Sequence, residues 1–106
     1  MDIENLKNYC LSFDNVYEDL PFDDVSPVYK KKLAKGDKIF AIISIEKPFT
    51  ISLKCQPEHS IELQEKYNFI IPGYHMNKKH WITIYIDECS ENLIKELVKN
   101  SYQLVK

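Results

Sequence analysis

The chain has no arginine; all fourteen of its basic residues are lysines. The guanidinium is the side chain best shaped for bidentate contact with guanine or phosphate. Its absence counts against a module that reads DNA sequence tightly. Glycine is nearly missing too: Gly36 and Gly73 are the only two, and each falls where a turn is wanted. There is no glycine-rich phosphate loop, no nucleophile elbow and no H-E-x-x-H motif. With no motif that carries a mechanism, an enzyme is not expected. Cysteines number three, Cys10, Cys55 and Cys89, with no C-x-x-C spacing. That excludes a disulfide framework and a zinc ribbon, and fits a reducing cytoplasm. No apolar run approaches the roughly 20 residues that cross a bilayer. The N-terminus has neither a basic nor an apolar region, so no signal peptide is expected.

What the chain does have is enough length, 106 residues, to bury a core as one domain spanning 1–106. Its net charge is −2, unevenly spread. Asp2, Glu4, Asp14, Glu18, Asp19, Asp23 and Asp24 face only Lys7 in the first 24 residues. Lys30, Lys31, Lys32, Lys35 and Lys38 then cluster around a single Asp37.

Hydrophobic spacing predicts the elements. Asp2 can cap a helix over residues 2–13, with Leu6, Tyr9, Cys10 and Phe13 on one face. Residues 14–24 read as an acidic loop. Residues 25–33 read as an edge strand, because Pro27 cannot donate to a central ladder. Residues 34–37 make a hairpin connection. Residues 38–46 read as a central strand, with Phe40 and Ile42 on one face and Ile39, Ala41, Ile43 and Ile45 on the other. Thr50 to Lys54 alternates, with Ile51 and Leu53 inward. Pro57 opens a helix over 57–67, with Ile61, Leu63 and Tyr67 on its inner side. Strands follow at 69–71 and 81–86, the second with Ile82, Ile84 and Ile86 on one face. Ser90 caps a last helix whose apolar stripe is Leu93, Ile94, Leu97, Val98, Tyr102 and Val105. The pattern is an α+β fold: an antiparallel sheet with helices segregated to a face or an end.

The densest stretch is Pro72-Gly73-Tyr74-His75-Met76-Asn77-Lys78-Lys79-His80-Trp81. This block, with Phe40-Ala41, Ile51-Ser52-Leu53-Lys54, Pro57-Glu58 and an N-terminal Pro21-Phe22, resembles the MmcQ/YjbR family over nearly the whole chain. The resemblance implies an α-β(3)-α-β(2)-α fold, like that of type III secretion chaperones. It also implies kinship with CyaY, the bacterial frataxin, and a double-wing DNA-binding role. The chain departs from the family's Pro-Phe-Gly segment, since Asp23 follows Phe22.

Candidate binding residues follow from these features. Tyr74, His75, Asn77, Lys78, Lys79 and His80 lie on the loop before the last strand. Lys30, Lys32 and Lys35 lie at a strand end and hairpin. Two lysine-bearing wings suit phosphate contact, and Tyr29, Tyr74 and Trp81 could add stacking. The plain alternative is that lysines protect a sheet edge. His75 and His80 lack a third ligand at familiar zinc spacing. Ordering of the loop through hydrogen bonds is the simpler role for them, and no metal or other cofactor is expected. A Cys55–His80–Asp87 triad can be written on paper only. The five acids of residues 14–24 invite comparison with an acidic iron-binding ridge, but a solvated face is the simpler reading. The expectation is a cytoplasmic, non-enzymatic binding domain with weak, lysine-mediated, sequence-independent DNA binding. A protein-interaction adaptor is the alternative, and an enzyme or metal binder at His75 and His80 a third.

Overall fold

Asp2 begins the first helix, as its side chain predicts. The carboxylate accepts the Asn5 backbone N–H at 2.8 Å, satisfying a donor that every helix start leaves without a partner. This helix, α1, spans Ile3–Leu11 in the computed structural model of the chain, which describes residues 1–21, 24–73 and 77–106. Leu6 and Cys10, one turn apart, are wholly buried. Asn15 then takes a left-handed backbone conformation, φ 64°, which asparagine tolerates better than most residues.

The acidic segment does not stay a loop. Val16–Asp19 forms strand β1, paired antiparallel with β2, Val28–Lys31. Its carboxylates find cross-strand partners. Glu18 accepts the Tyr29 hydroxyl at 2.6 Å, and Asp19 pairs with the Lys30 ammonium at 3.1 Å. The strand is therefore specified by residues more than ten positions away, which no local pattern displays. It makes β1 the edge of the sheet and moves β2 inside, against expectation. Pro27 marks the start of β2 instead of an edge. Its carbonyl accepts the Ile43 N–H at 3.0 Å, and its ring nitrogen has no hydrogen to return the bond.

Strand β3, Lys38–Ser44, carries a bulge. Tyr29 sits opposite Ala41, yet Lys30 sits opposite Ile39, so Phe40 is the extra residue. The bulge turns Phe40 toward the helices, off the face it was expected to share with Ile42. Its ring meets Phe13 and Tyr102 edge-on, at centroid distances of 6.4 and 5.5 Å.

The remaining elements are β4 (Thr50–Lys54), α2 (Pro57–Lys66), β5 (Ile70–Pro72), β6 (Trp81–Tyr85), a 3-10 turn (Ile86–Glu88) and α3 (Glu91–Leu104). The sheet is antiparallel throughout, in the order β1-β2-β3-β4-β6-β5. Across one face run Ala41, Ile43, Ile51, Leu53, Ile82 and Ile84, all fully buried. On this face α1 packs beside β1, α3 crosses β3 and β4, and α2 lies beside β5. The second face holds Val28, Ile42, Ser52, Thr83 and Ile71 in one row. Ser52 and Thr83 hydrogen-bond each other at 2.9 Å in its middle. Trp81 is buried at the start of β6.

One helix residue completes the sheet. Opposite Phe40, just past the Ala41–Leu53 pair, the β3–β4 ladder opens. The Ser101 hydroxyl of α3 enters the gap. It accepts the Lys54 N–H at 2.9 Å and donates to the Phe40 carbonyl at 2.6 Å.

Candidate functional site

Strand register decides which loops share an end of the sheet. Lys31 faces Lys38, so the hairpin of residues 32–37 lies at one end. Lys54 faces Trp81 and Pro72 faces Ile82, so the loop of residues 73–80 leaves the same end. β4 stands between the two. Two strand spacings, about 10 Å, separate β3 from β6. The far end carries the 45–49 turn with Glu46, and beyond β6 come Asp87 and Glu88. Lys32, Lys35, Lys78 and Lys79 are thus exposed at one end of the sheet, together with Asp37, while Glu46, Lys47, Asp87 and Glu88 are exposed at the other.

The sequence-derived candidates divide into three groups. Asn77, Lys78, Lys79 and His80 are all exposed on the loop. The Asn77 side-chain oxygen accepts the Lys79 N–H at 3.1 Å, and its carbonyl accepts the His80 N–H at 3.1 Å. Such local bonds are what asparagine contributes to turns. The His80 carbonyl accepts the Cys55 N–H at 2.9 Å. His80 therefore orders the loop through its backbone, where an imidazole hydrogen bond had been expected. Gly73 is buried, and its N–H donates to the Trp81 carbonyl at 2.8 Å. Tyr74 and His75 lie outside the described residues, as do Phe22 and Asp23 of the Pro-Phe segment.

The second group is the hairpin. Lys32 and Lys35 are exposed there. The Lys32 ammonium sits 5.6 Å from the Tyr17 ring centroid. The hairpin is pinned to β1 by the Tyr17 hydroxyl, which donates to Asp37 at 2.6 Å. Asp37 also accepts the Leu33 N–H at 3.3 Å. The Tyr17 bond holds the Asp37 carboxyl below its ordinary range and lifts the phenol above its own.

The third group is occupied with structure. Lys30 is held by Asp19. Lys31 donates to the carbonyls of Tyr102 and Val105, at 3.4 and 3.0 Å, and stands 4.1 Å over the Tyr102 ring. Lys38 donates to the Lys106 carbonyl at 3.3 Å. Cations at the last turn of α3 and just beyond it complement the negative end of its dipole. Tyr29 and Trp81 are buried, so neither offers a ring for stacking.

The paper triad does not assemble. His80 and Asp87 flank β6 at opposite ends, and five strand residues span about 17 Å. Burial raises all three thiols, Cys10 to about 12 and Cys55 and Cys89 to about 11, so they stay protonated at neutral pH. No group of three or more histidines, cysteines or carboxylates converges on a metal position among the described residues. Among the described residues, the exposed large apolar ones, Leu11, Leu20 and Ile61, sit on three different segments. Ile61 had been expected to face inward. The convergence of the two lysine loops was not legible from sequence, since only strand register reveals which ends coincide.

This architecture has relatives. The YjbR family model matches residues 11–104. The chain belongs to the YjbR family. It is 41% identical over 105 residues to the uncharacterized protein YbdF of Escherichia coli O157:H7, covering 96% of this chain and 82% of that one. It is 30% identical to the uncharacterized protein YjbR of Escherichia coli K12, covering 97% and 86% of the two chains. The YjbR fold also matches a crystal structure of Deinococcus radiodurans protein DR2400, with its DUF419 domain. The TM-score is 0.90 at 36% identity, over 97% of this chain and 77% of that one. A protein from Pseudomonas syringae matches over the full length of both chains, with a TM-score of 0.83 and 27% identity.

Proposed function

We propose that this YjbR domain is a non-enzymatic module that binds nucleic acid weakly, through phosphate and without regard to sequence. The observation that carries the reading is the shared end of the sheet. There the hairpin that joins β2 to β3 presents Lys32 and Lys35, and the loop that enters β6 presents Lys78 and Lys79, with β4 between β3 and β6. None of these four ammonium groups forms an ion pair among the described residues. Lysine acts on phosphate as a point charge, without the fork that selects a base edge. The net charge stays negative, at −2, which limits affinity for a polyanion. Three unpaired, buried thiols suit a reducing cytoplasm.

Fluorescence polarisation against unrelated labelled duplexes tests this. The expected Kd is about 10⁻⁴–10⁻⁶ M at physiological salt, alike for every sequence. Lys35→Glu with Lys78→Glu should weaken binding at least tenfold. Lys47→Glu, at the other end of the sheet, should leave it unchanged. Nanomolar discrimination between duplexes would overturn the proposal, and so would equal effects of the two sets.

A further inference from the structure

On the helical side lies a second feature, unrelated to the lysine end. Helices α2 and α3 run antiparallel. Gln56, before α2, and Asn100, late in α3, exchange side-chain hydrogen bonds of 3.1 and 3.4 Å. From that clamp, His59, Leu63 and Lys66 step along α2 while Leu97 and Leu93 step back along α3. Each helix packs on its own part of the sheet, α2 on β5 and α3 on β3 and β4. A groove of about 230 Å³ is left between them.

Its chemistry is divided. Leu63 and Leu97 are buried and form the floor with the half-buried Leu93. Glu62 and Glu96 rise from opposite helices at the rim, both exposed. Neither carboxylate takes part in an ion pair among the described residues. The one cation lining the groove, Lys66, has its ammonium 5.4 Å over the Tyr67 ring. His59, Glu62 and Glu96 do not converge as a metal-holding group. A bare metal ion therefore does not match the arrangement, and it would leave the leucine floor unused. A ligand with one positive head and a short apolar stem uses both parts.

We propose that this groove is a binding site for a small primary alkylammonium ion. The stem lies on Leu63, Leu93 and Leu97, and the head is held between Glu62 and Glu96. Because both carboxylates are solvated, affinity is in the millimolar range.

The test is a ¹⁵N NMR titration of the intact chain with n-butylamine at neutral pH, with n-butanol and butyrate in parallel. Saturable shifts are expected at the amides of Leu63, Leu93, Glu96 and Leu97. Butanol should bind at least fivefold more weakly, and butyrate should not bind. Glu62→Gln with Glu96→Gln removes only exposed charge, and it should raise the butylamine Kd at least fivefold while the fold stays intact. The proposal is overturned if shifts rise without saturation at every acidic residue, if the double variant binds as before, or if butanol binds equally. Duplex DNA should leave these four amides unmoved, so the outcome is separable from that of the lysine end.

Discussion

At the residue scale, two neighbours on one loop behave oppositely. Gly73 is required for space, not for torsional freedom. A Cβ built there would stand 2.5 Å from the Trp81 Cβ and 2.9 Å from its carbonyl oxygen. Gly36 differs: its φ of 120° demands glycine, yet a Cβ there would meet nothing. Gly73→Ala must push the loop off β6. The cost is that of overpacking, about 1–3 kcal/mol, read as a lower midpoint in urea. His80→Ala, by contrast, removes an exposed imidazole and leaves the backbone bonds to Asn77 and Cys55 in place. Its effect should stay within about 0.5 kcal/mol. If His80→Ala destabilises more than Gly73→Ala, the loop is ordered by the ring and this account of it fails.

At the element scale, much of the fold was legible and the gaps have specific causes. Both capped helices announced themselves through Asp2 and Ser90, whose side chains accept the N–H groups of Asn5 and Leu93. Strands β4 and β6 announced themselves by alternation. β1 did not, because Glu18 and Asp19 look like loop residues until Tyr29 and Lys30 are placed beside them. The bulge at Phe40 did not either, because alternation cannot show an inserted residue. Ser101 repairs the ladder at that point. Ser101→Ala strands the Phe40 carbonyl and the Lys54 N–H together, and each unsatisfied buried group costs about 1–3 kcal/mol. A drop in thermal midpoint should come with faster hydrogen exchange at Lys54. The β1 side of the sheet adds a pH dependence. Hydrogen bonds from Lys30 and from Tyr17 hold the Asp19 and Asp37 carboxyls below their ordinary range. Their contribution is complete above the unfolded value, about 4, and fades as pH falls through the lower folded values. Thermal midpoints should therefore be flat from neutrality to about pH 5 and fall below about pH 4. Asp37→Asn should blunt that fall; an unchanged acid profile would deny the Tyr17–Asp37 clamp its role.

At the scale of the whole molecule, the lysine count does not predict the strength of anion binding, because folding spends several lysines internally. Of the five lysines in residues 30–38, Lys30 is paired with Asp19, and Lys31 and Lys38 hold carbonyls at the end of α3. Lys32 and Lys35 remain, joined by Lys78 and Lys79 from the far side of β4. In the proposed complex with duplex DNA, these four charges set a ceiling on the counterions released. The slope of log K against log salt is about −0.9 per neutralised phosphate, so it should be no steeper than about −3.6. Between 50 and 200 mM salt the affinity should then fall by at most about 150-fold. Lys35→Gln should flatten the slope by about one unit, whereas Lys31→Gln, which removes a lysine already committed to α3, should leave it unchanged while lowering stability. A slope steeper than about −5 would mean that lysines assigned here to structure also reach phosphate, and the division between working and structural lysines would be wrong.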